Sequence, residues 1–383
     1  MKHILLIVGL TLIWGTTSIA QEDYKVKNLN NHYENSDFHE VVKLPEKVKF
    51  TKQPKNIILL IGDGMGVAQI FSAVTANRGY LNITQMPYIG FSQTQSADQY
   101  ITDSAAGGTA LAAGQRTYNG GIGVNTDTVP IPSILEIGEK NGLATGLIST
   151  SAITHATPAS FIAHQPSRNM YEAIATDFLK TDIDVFIGGG YKFFAERTDD
   201  NRNLVTELQN KGYKVFKSLE ETGTITNGRL AVLTAEAHNK SYPERGELLP
   251  EATTKAIEIL SNNSKKGFFL MVEGSMIDWG GHANNTSYVI KETLDFDRAV
   301  GLALEFAATN KETLVIVTAD HETGGMTIEG GSMEKGEVTA DFTSEGHTAV
   351  MVPVFAYGAG AENFKGVYKN TEIFEKMKAA FGF

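Results

Sequence analysis

The apolar run Leu314 to Val317 is followed closely by Asp320 and His321, and then by two glycines, Gly324 and Gly325. A carboxylate beside an imidazole is a ligand pair suited to Zn2+. Open α/β sheets bind ligands beyond the carboxyl ends of their strands, where this pair would stand. Alone, it reads equally as an Asp capping a turn with a His beside it. Five further segments carry related chemistry. Ile61-Gly62-Asp63-Gly64-Met65-Gly66 sets Asp63 among glycines, which let backbone pass close to a ligand. It lacks the Lys-Ser/Thr ending of a P-loop. Asp103-Ser104 precedes a run of small residues, so Ser104 would begin a helix, where free N–H groups and the dipole favour an anion. A plain helix cap is the alternative. No G-x-S-x-G elbow is present, which argues against an esterase of the α/β-hydrolase type.

In the third segment Thr154-His155-Ala156-Thr157 is followed by Arg168, whose guanidinium is shaped to hold two phosphate oxygens at once. His164, between them, reads as a structural, hydrogen-bonded residue. In the fourth, Glu273 follows a strand, and Asp278 and His282 stand four residues apart, on one face of a helical turn. In the fifth, His347 follows Glu345-Gly346, just before another apolar run. Together these residues supply two nitrogen-bearing ligand sets and one all-oxygen set, suited by hardness to Zn2+ and Mg2+ respectively. A nucleophile, a pair of metals and an Arg clamp suit phosphoryl transfer.

Positioning them requires a frame. Asn56 to Ile61, Ala144 to Ile148, Val185 to Ile187, Phe268 to Val272, Leu314 to Val317 and Val350 to Phe355 are mostly apolar runs of strand length, as expected of strands buried on both faces. Helical segments lie between them: one starts at Pro250 and runs to about Leu260, another carries Val289, Phe296, Val300 and Leu304 on one face. The expected fold is α/β, a large mostly parallel central sheet with helices on both faces. Gly324 to Gly346 reads as a small surface insertion that overhangs the site. Asn201 to Lys240 is weakly patterned and is expected at the periphery.

The 383 residues carry a formal charge of -11, which argues against binding to a nucleic-acid backbone. Lys2 and His3, the apolar run Ile4 to Trp14, and Ser18 and Ala20 predict a signal peptide over 1–20, cleaved before Gln21. A short membrane anchor is the alternative. Residues 21–53 read as an N-terminal arm or flexible lead-in, and 54–383 as a single catalytic domain. With no cysteine in the chain, thiolate ligands are excluded.

The motifs resemble, in order, those of the alkaline phosphatases, from about Asn56 to the C-terminus. The resemblance implies that Asp103-Ser104-Ala105 is the nucleophile motif. Asp278, His282 and His347 would hold a first zinc, and Asp63, Asp320 and His321 a second, with Ser104 approaching it. Asp63, Thr157 and Glu273 would hold magnesium, so that Asp63 bridges two sites, and Arg168 would clamp phosphate. Two positions depart from the best-known enteric bacterial members, which have Asp and Lys there. His155 and Trp279 instead resemble marine and cold-active bacterial members, and His155 is also the animal pattern. His155 would bind the third ion or stand behind it, which leaves Mg2+, Zn2+ and Co2+ open there. Trp279 removes a cation near the phosphate. The implied cofactors are two Zn2+ and one Mg2+ per subunit.

The implied reaction is metal-dependent hydrolysis of phosphate monoesters at alkaline pH through a phosphoserine, with configuration at phosphorus retained by two inversions. Phosphodiesterases of the same superfamily share the two-zinc core but typically lack the third site, so Glu273, Thr157 and Arg168 favour the monoesterase. A non-catalytic binding protein would have no need of Ser104. The expected partners are small phosphomonoesters, with no nucleic-acid-specific or membrane binding. The expected assembly is a homodimer, with a monomer as the alternative, and the expected location is periplasmic or secreted.

Overall fold

The computed structural model of the chain describes residues 31–383. The leader expected at 1–20, and the arm over 21–30, lie outside the described residues. The strands, in chain order, are β1 (His32–Glu34), β2 (Asn56–Gly62), β3 (Tyr88–Gln93), β4 (Ala144–Ala152), β5 (Val185–Gly189), β6 (Tyr213–Phe216), β7 (Arg229–Leu233), β8 (Phe268–Gly274), β9 (Thr313–Thr318), β10 (Glu322–Thr323), β11 (Met326–Ser332), β12 (Glu337–Phe342), β13 (His347–Thr348), β14 (Val352–Gly358) and β15 (Gly366–Lys369). Ten of them form one sheet in the order β15-β3-β14-β9-β2-β8-β4-β5-β7-β6. Every pairing in it is parallel except the two made by β14.

The central strands are apolar at successive positions because both faces are covered, and alternate side chains go to opposite sides. Ile58 and Leu60 of β2, Leu270 and Val272 of β8, and Val315 and Val317 of β9 belong to one core. Ile57, Leu59 and Ile61, Phe269 and Met271, and Leu314 and Ile316 belong to the other. The first core is closed by the helices Val67–Ala76, Leu248–Asn263 and Thr286–Asn310. The second is closed by Ser104–Ala113, Ile134–Asn141 and Thr371–Phe381. Leu59 is fully buried, and truncating it to Ala would cost about 2–5 kcal/mol.

The mostly parallel sheet with helices on both faces is as expected, with three differences in detail. The helix expected to start at Pro250 begins at Leu248, so Pro250 lies in the first turn, where its missing N–H costs no hydrogen bond. Asn201 to Lys240 is not simply peripheral: it contributes β6 and β7 to the sheet, and Leu230 to Leu233 are buried. Gly324 to Gly346 is built around the hairpin β11–β12, joined by β1 into a small sheet that rests on the helices Val67–Ala76 and Thr286–Asn310. Its base reaches the site, where the Glu345 carbonyl meets His282 Nδ1. The described part of the arm is tied to the body: Val42 N–H donates to Asn82 Oδ1 at 2.8 Å, and His39 Nε2 lies 2.8 Å from Asp297 Oδ2. Among the described residues no helix is long and apolar enough to cross a membrane.

Candidate active site

The four adjacent strands β9, β2, β8 and β4 run parallel, so their carboxyl ends fall together. Asp63 follows β2, Glu273 is the last residue but one of β8, Asp320 and His321 follow β9, and His155 follows β4. β14 runs the other way, so the chain entering it arrives at the same edge. β13, just before it, pairs with β10 and places His347 opposite Thr323. Asp278 and His282 come from the helix Met276–His282, which follows β8.

Three ligand groups result, each with its donor atoms within 4.8 Å of one another: Asp278, His282 and His347; Asp63, Asp320 and His321; and Asp63, His155 and Glu273. Thr157 joins the third, its hydroxyl donating to Asp63 Oδ2 at 3.4 Å. His155 thus brings a ring nitrogen to the group expected to be all-oxygen.

Hydrogen bonds behind the histidines fix their tautomers. The Nδ1 atoms of His282 and His347 lie 2.5 Å and 2.8 Å from the carbonyl oxygens of Glu345 and Thr102. A carbonyl accepts only, so each Nδ1 carries a proton, which leaves Nε2 as the nitrogen turned toward the ligand group. Thr323 spends its hydroxyl proton on Asp278, which leaves its oxygen to accept from His321 Nδ1 at 3.2 Å. Glu273 Oε2 accepts from Ser149 and Ser275 at 2.6 Å and 2.7 Å.

The electrostatics are those of crowded carboxylates. Burial, and then the charges of Asp320, Asp278 and Glu273, push Asp63 well above the usual range. Burial and then Asp278 raise Asp320 to about 7. Burial raises Glu273 against its serine partners. Asp278 is the exception: burial pushes it up, but His282, His347 and His321 outweigh burial and hold it well below. His321 lies 3.4 Å from Asp63 and 3.3 Å from Asp320. These contacts are not ion pairs, because burial and then the His347 charge depress its pKa and keep the ring neutral. Asp63 Oδ1, Glu273 Oε1, Asp320 Oδ2 and His155 Nδ1 are buried without a hydrogen-bond partner. Carboxylates buried without donors are costly unless a cation meets them. These donor sets, neutral imidazoles and orphaned oxygens, therefore fit divalent ions.

Ser104 opens the helix Ser104–Ala113, with Asp103 as its cap, accepting from Ala106 N–H at 3.0 Å. Ser104 Oγ lies 3.2 Å from His321 Nε2. The helix approaches this closely because Gly107 has no side chain: a Cβ there would stand 3.1 Å from Asp320 Cβ. The second oxygen of Asp103 holds Arg168 Nη1 at 3.0 Å. Burial acts to lower the guanidinium's pKa, but Asp103 outweighs it and keeps the charge. Arg168 Nη2 reaches His155 Nε2 at 3.3 Å. Burial first, then Arg168, hold His155 neutral. Trp279 presents its ring edge-on to His155, the centroids 6.3 Å apart.

A profile of the alkaline phosphatase family matches residues 54–341 and 335–383. The chain belongs to the alkaline phosphatase family. Alkaline phosphatase 4 of Bacillus subtilis is 34% identical to it over 87% of this chain and 92% of that protein. The alkaline phosphatase of Escherichia coli is 34% identical over 86% and 87%. Among solved structures, the alkaline phosphatase of the Antarctic bacterium TAB5 is 42% identical with a TM-score of 0.81, covering 87% of this chain and 99% of that one. The cold-active enzyme of a psychrophilic Shewanella is 30% identical with a TM-score of 0.78, over 86% and 100%. As an alkaline phosphatase the protein hydrolyses phosphate monoesters through a phosphoserine intermediate, with metal cofactors.

All the ligand and clamp residues singled out in the sequence meet at this edge of the sheet. His164 does not: it bonds Gly123 O and Glu136, away from the ligand groups. Sequence reading missed His238, whose ring lies 5.0 Å from Trp279 and 5.6 Å from His155. It sits in the weakly patterned stretch, where no periodicity marks it.

Proposed function

We propose that Ser104 is the nucleophile of this alkaline phosphatase and Arg168 its phosphate clamp. The observation that carries this is convergence: Ser104 Oγ touches the Asp63, Asp320 and His321 group, while Asp103, the preceding residue, fastens Arg168. Ser104 would form the bond to phosphorus as the ester oxygen departs. The free N–H groups of its helix and the Arg168 guanidinium would hold the phosphoryl oxygens as charge redistributes. Asp103 keeps the guanidinium from swinging away, and water then returns the phosphoryl group from Ser104 to solution.

The Asp278, His282 and His347 group and the Asp63, Asp320 and His321 group suit Zn2+, and Asp63, Thr157 and Glu273 suit Mg2+, with His155 deciding how well. When bound, such ions supply Lewis-acid activation and charge neutralisation. One solved relative supports attention to a histidine here: a TAB5 enzyme variant with Glu in place of a histidine holds Mg in the site called M3. Residues 54–383 are read as one catalytic domain behind a leader at 1–20 and an arm at 21–53, acting in the periplasm or outside the cell as a homodimer.

The test is hydrolysis of p-nitrophenyl phosphate at alkaline pH by wild type and Ser104→Ala, each chelated and then resupplied with Zn2+ and Mg2+. Turnover should return with metal in wild type and stay about 10³-fold or more lower in Ser104→Ala. Equal turnover in the two would remove Ser104 from the mechanism.

A further inference from the structure

Between β7 and the helix Leu248–Asn263 the chain crosses toward the site as an irregular strap, residues 234–247, with His238 near its start. We propose that His238 is a positioning residue for Trp279, and through it sets how tightly the site holds phosphate. The proposal rests on the reading that Trp279 stands near the phosphate, with His155 beside it at the third-ion group.

The strap is fastened on both sides of His238. Before it, the carbonyl of Ala235 accepts from Gly190 and Tyr191 N–H, both at 2.9 Å, and that of Glu236 from Lys192 N–H at 3.0 Å. The backbone seats directly on the end of β5, where a Cβ on Gly189 would lie 2.1 Å from the Ala237 carbonyl oxygen. After it, Asn239 Nδ2 donates to Thr150 O at 3.1 Å and Tyr242 N–H to Glu292 Oε1 at 2.7 Å. Arg245 closes the strap onto Glu292 and Asp295 at 2.6 Å and 2.5 Å.

The ring itself is fixed too. Ala152 N–H donates to His238 Nδ1 at 3.1 Å, so that nitrogen is the unprotonated one. His238, Trp279 and His155 then stand nearly perpendicular to one another, at 82°, 82° and 87°. Tyr171, stacked on Phe193, backs His238 from another side at 6.4 Å. Edge-on ring contacts of this kind are directional, so the anchored imidazole holds Trp279 where a free one would not.

The chain has two tryptophans, Trp14 and Trp279, so with Trp14→Phe the emission reports Trp279 alone. In that background, metal-loaded full-length protein and its His238→Ala variant are compared by acrylamide quenching and by inorganic phosphate inhibition. We expect quenching to rise about twofold or more, and the phosphate inhibition constant to rise about three- to tenfold, the size of one or two lost edge contacts. KM should rise more than kcat falls. His238→Gln keeps an acceptor for Ala152 N–H without a ring, and should show the same rises even where His238→Ala does not fold. Soluble variants whose quenching and phosphate inhibition both match wild type would overturn the proposal. Displacement of Trp279 with phosphate inhibition unmoved would sink the phosphate-wall reading, and the affinity role with it.

Discussion

Arg245, Glu292 and Asp295 are as deeply buried as the carboxylates at the end of the sheet, yet the two clusters are built oppositely. Arg245 gives Glu292 bidentate bonds at 2.9 Å and 2.6 Å and reaches Asp295 with the same fork. There the chain supplies its own cation. At the carboxyl ends of β9, β2 and β8, Asp63, Glu273, Asp278 and Asp320 share one region, while Arg168 is already committed to Asp103. Burial raises Asp320 there to about 7, and raises Asp295 beside Arg245 to about 6. Buried charge with a chain-borne counter-ion is architecture. Buried carboxylates without one demand a cation from outside, and so become a site for chemistry.

Removing the chain's own cation should break the contrast hardest. Arg245→Ala leaves two buried carboxylates uncompensated and should cost about 3–5 kcal/mol in denaturant unfolding of the metal-loaded protein. A cost below about 1 kcal/mol would mean that Arg245 does not compensate the two carboxylates.

Stripping metal sharpens the other side. In the chelated protein the folded state holds the Asp320 proton more tightly than the unfolded chain does, since its pKa is about 7 against an ordinary value of about 3.9. That contribution is complete below about pH 4 and lost as pH rises through about 7. Metal-free protein should therefore lose on the order of 2–4 kcal/mol between about pH 5 and about pH 8, and Asp320→Asn should flatten part of the slope, with Asp63 and Glu273 carrying the rest. Equal stability at both pH values, measured by chemical denaturation, would show that the carboxylates are not in conflict.

The smallest effect concerns the wall of the site. Trp279→Lys returns a cation beside the phosphate region, so product phosphate should inhibit several-fold more strongly. Inhibition no weaker in wild type than in Trp279→Lys would refute that role.

Much of this was legible because apolar strands announce their own ends. Leu314 to Val317 leads to Asp320 and His321, and Asn56 to Ile61 to Asp63, since strands covered on both faces must be apolar until they emerge. Direction was not legible: the run leading into Val352–Gly358 says strand, but only the fold shows that it is reversed, which is what brings His347 to the ligand edge. His347 stood out only as one of a set, its own surroundings being unremarkable, and its ligand role came through the resemblance. Tyr88–Gln93 and Gly366–Lys369 escaped because they are short and only partly buried. His238 escaped because the strap that carries it has no period. Thr150, Ala152, Gly189 and Glu292, distant in sequence, hold the strap and its ring in place.

The most direct test of the central claim, that this edge of the sheet is a shared-ligand metal site, is to count bound metal per chain by plasma mass spectrometry. Wild type, Asp63→Asn and Asp278→Asn would be dialysed against Zn2+ and Mg2+. Asp63 belongs to two ligand groups and Asp278 to one. The account predicts that Asp63→Asn loses two ions per chain and Asp278→Asn one. An equal loss in both variants, or none in Asp63→Asn, would contradict it.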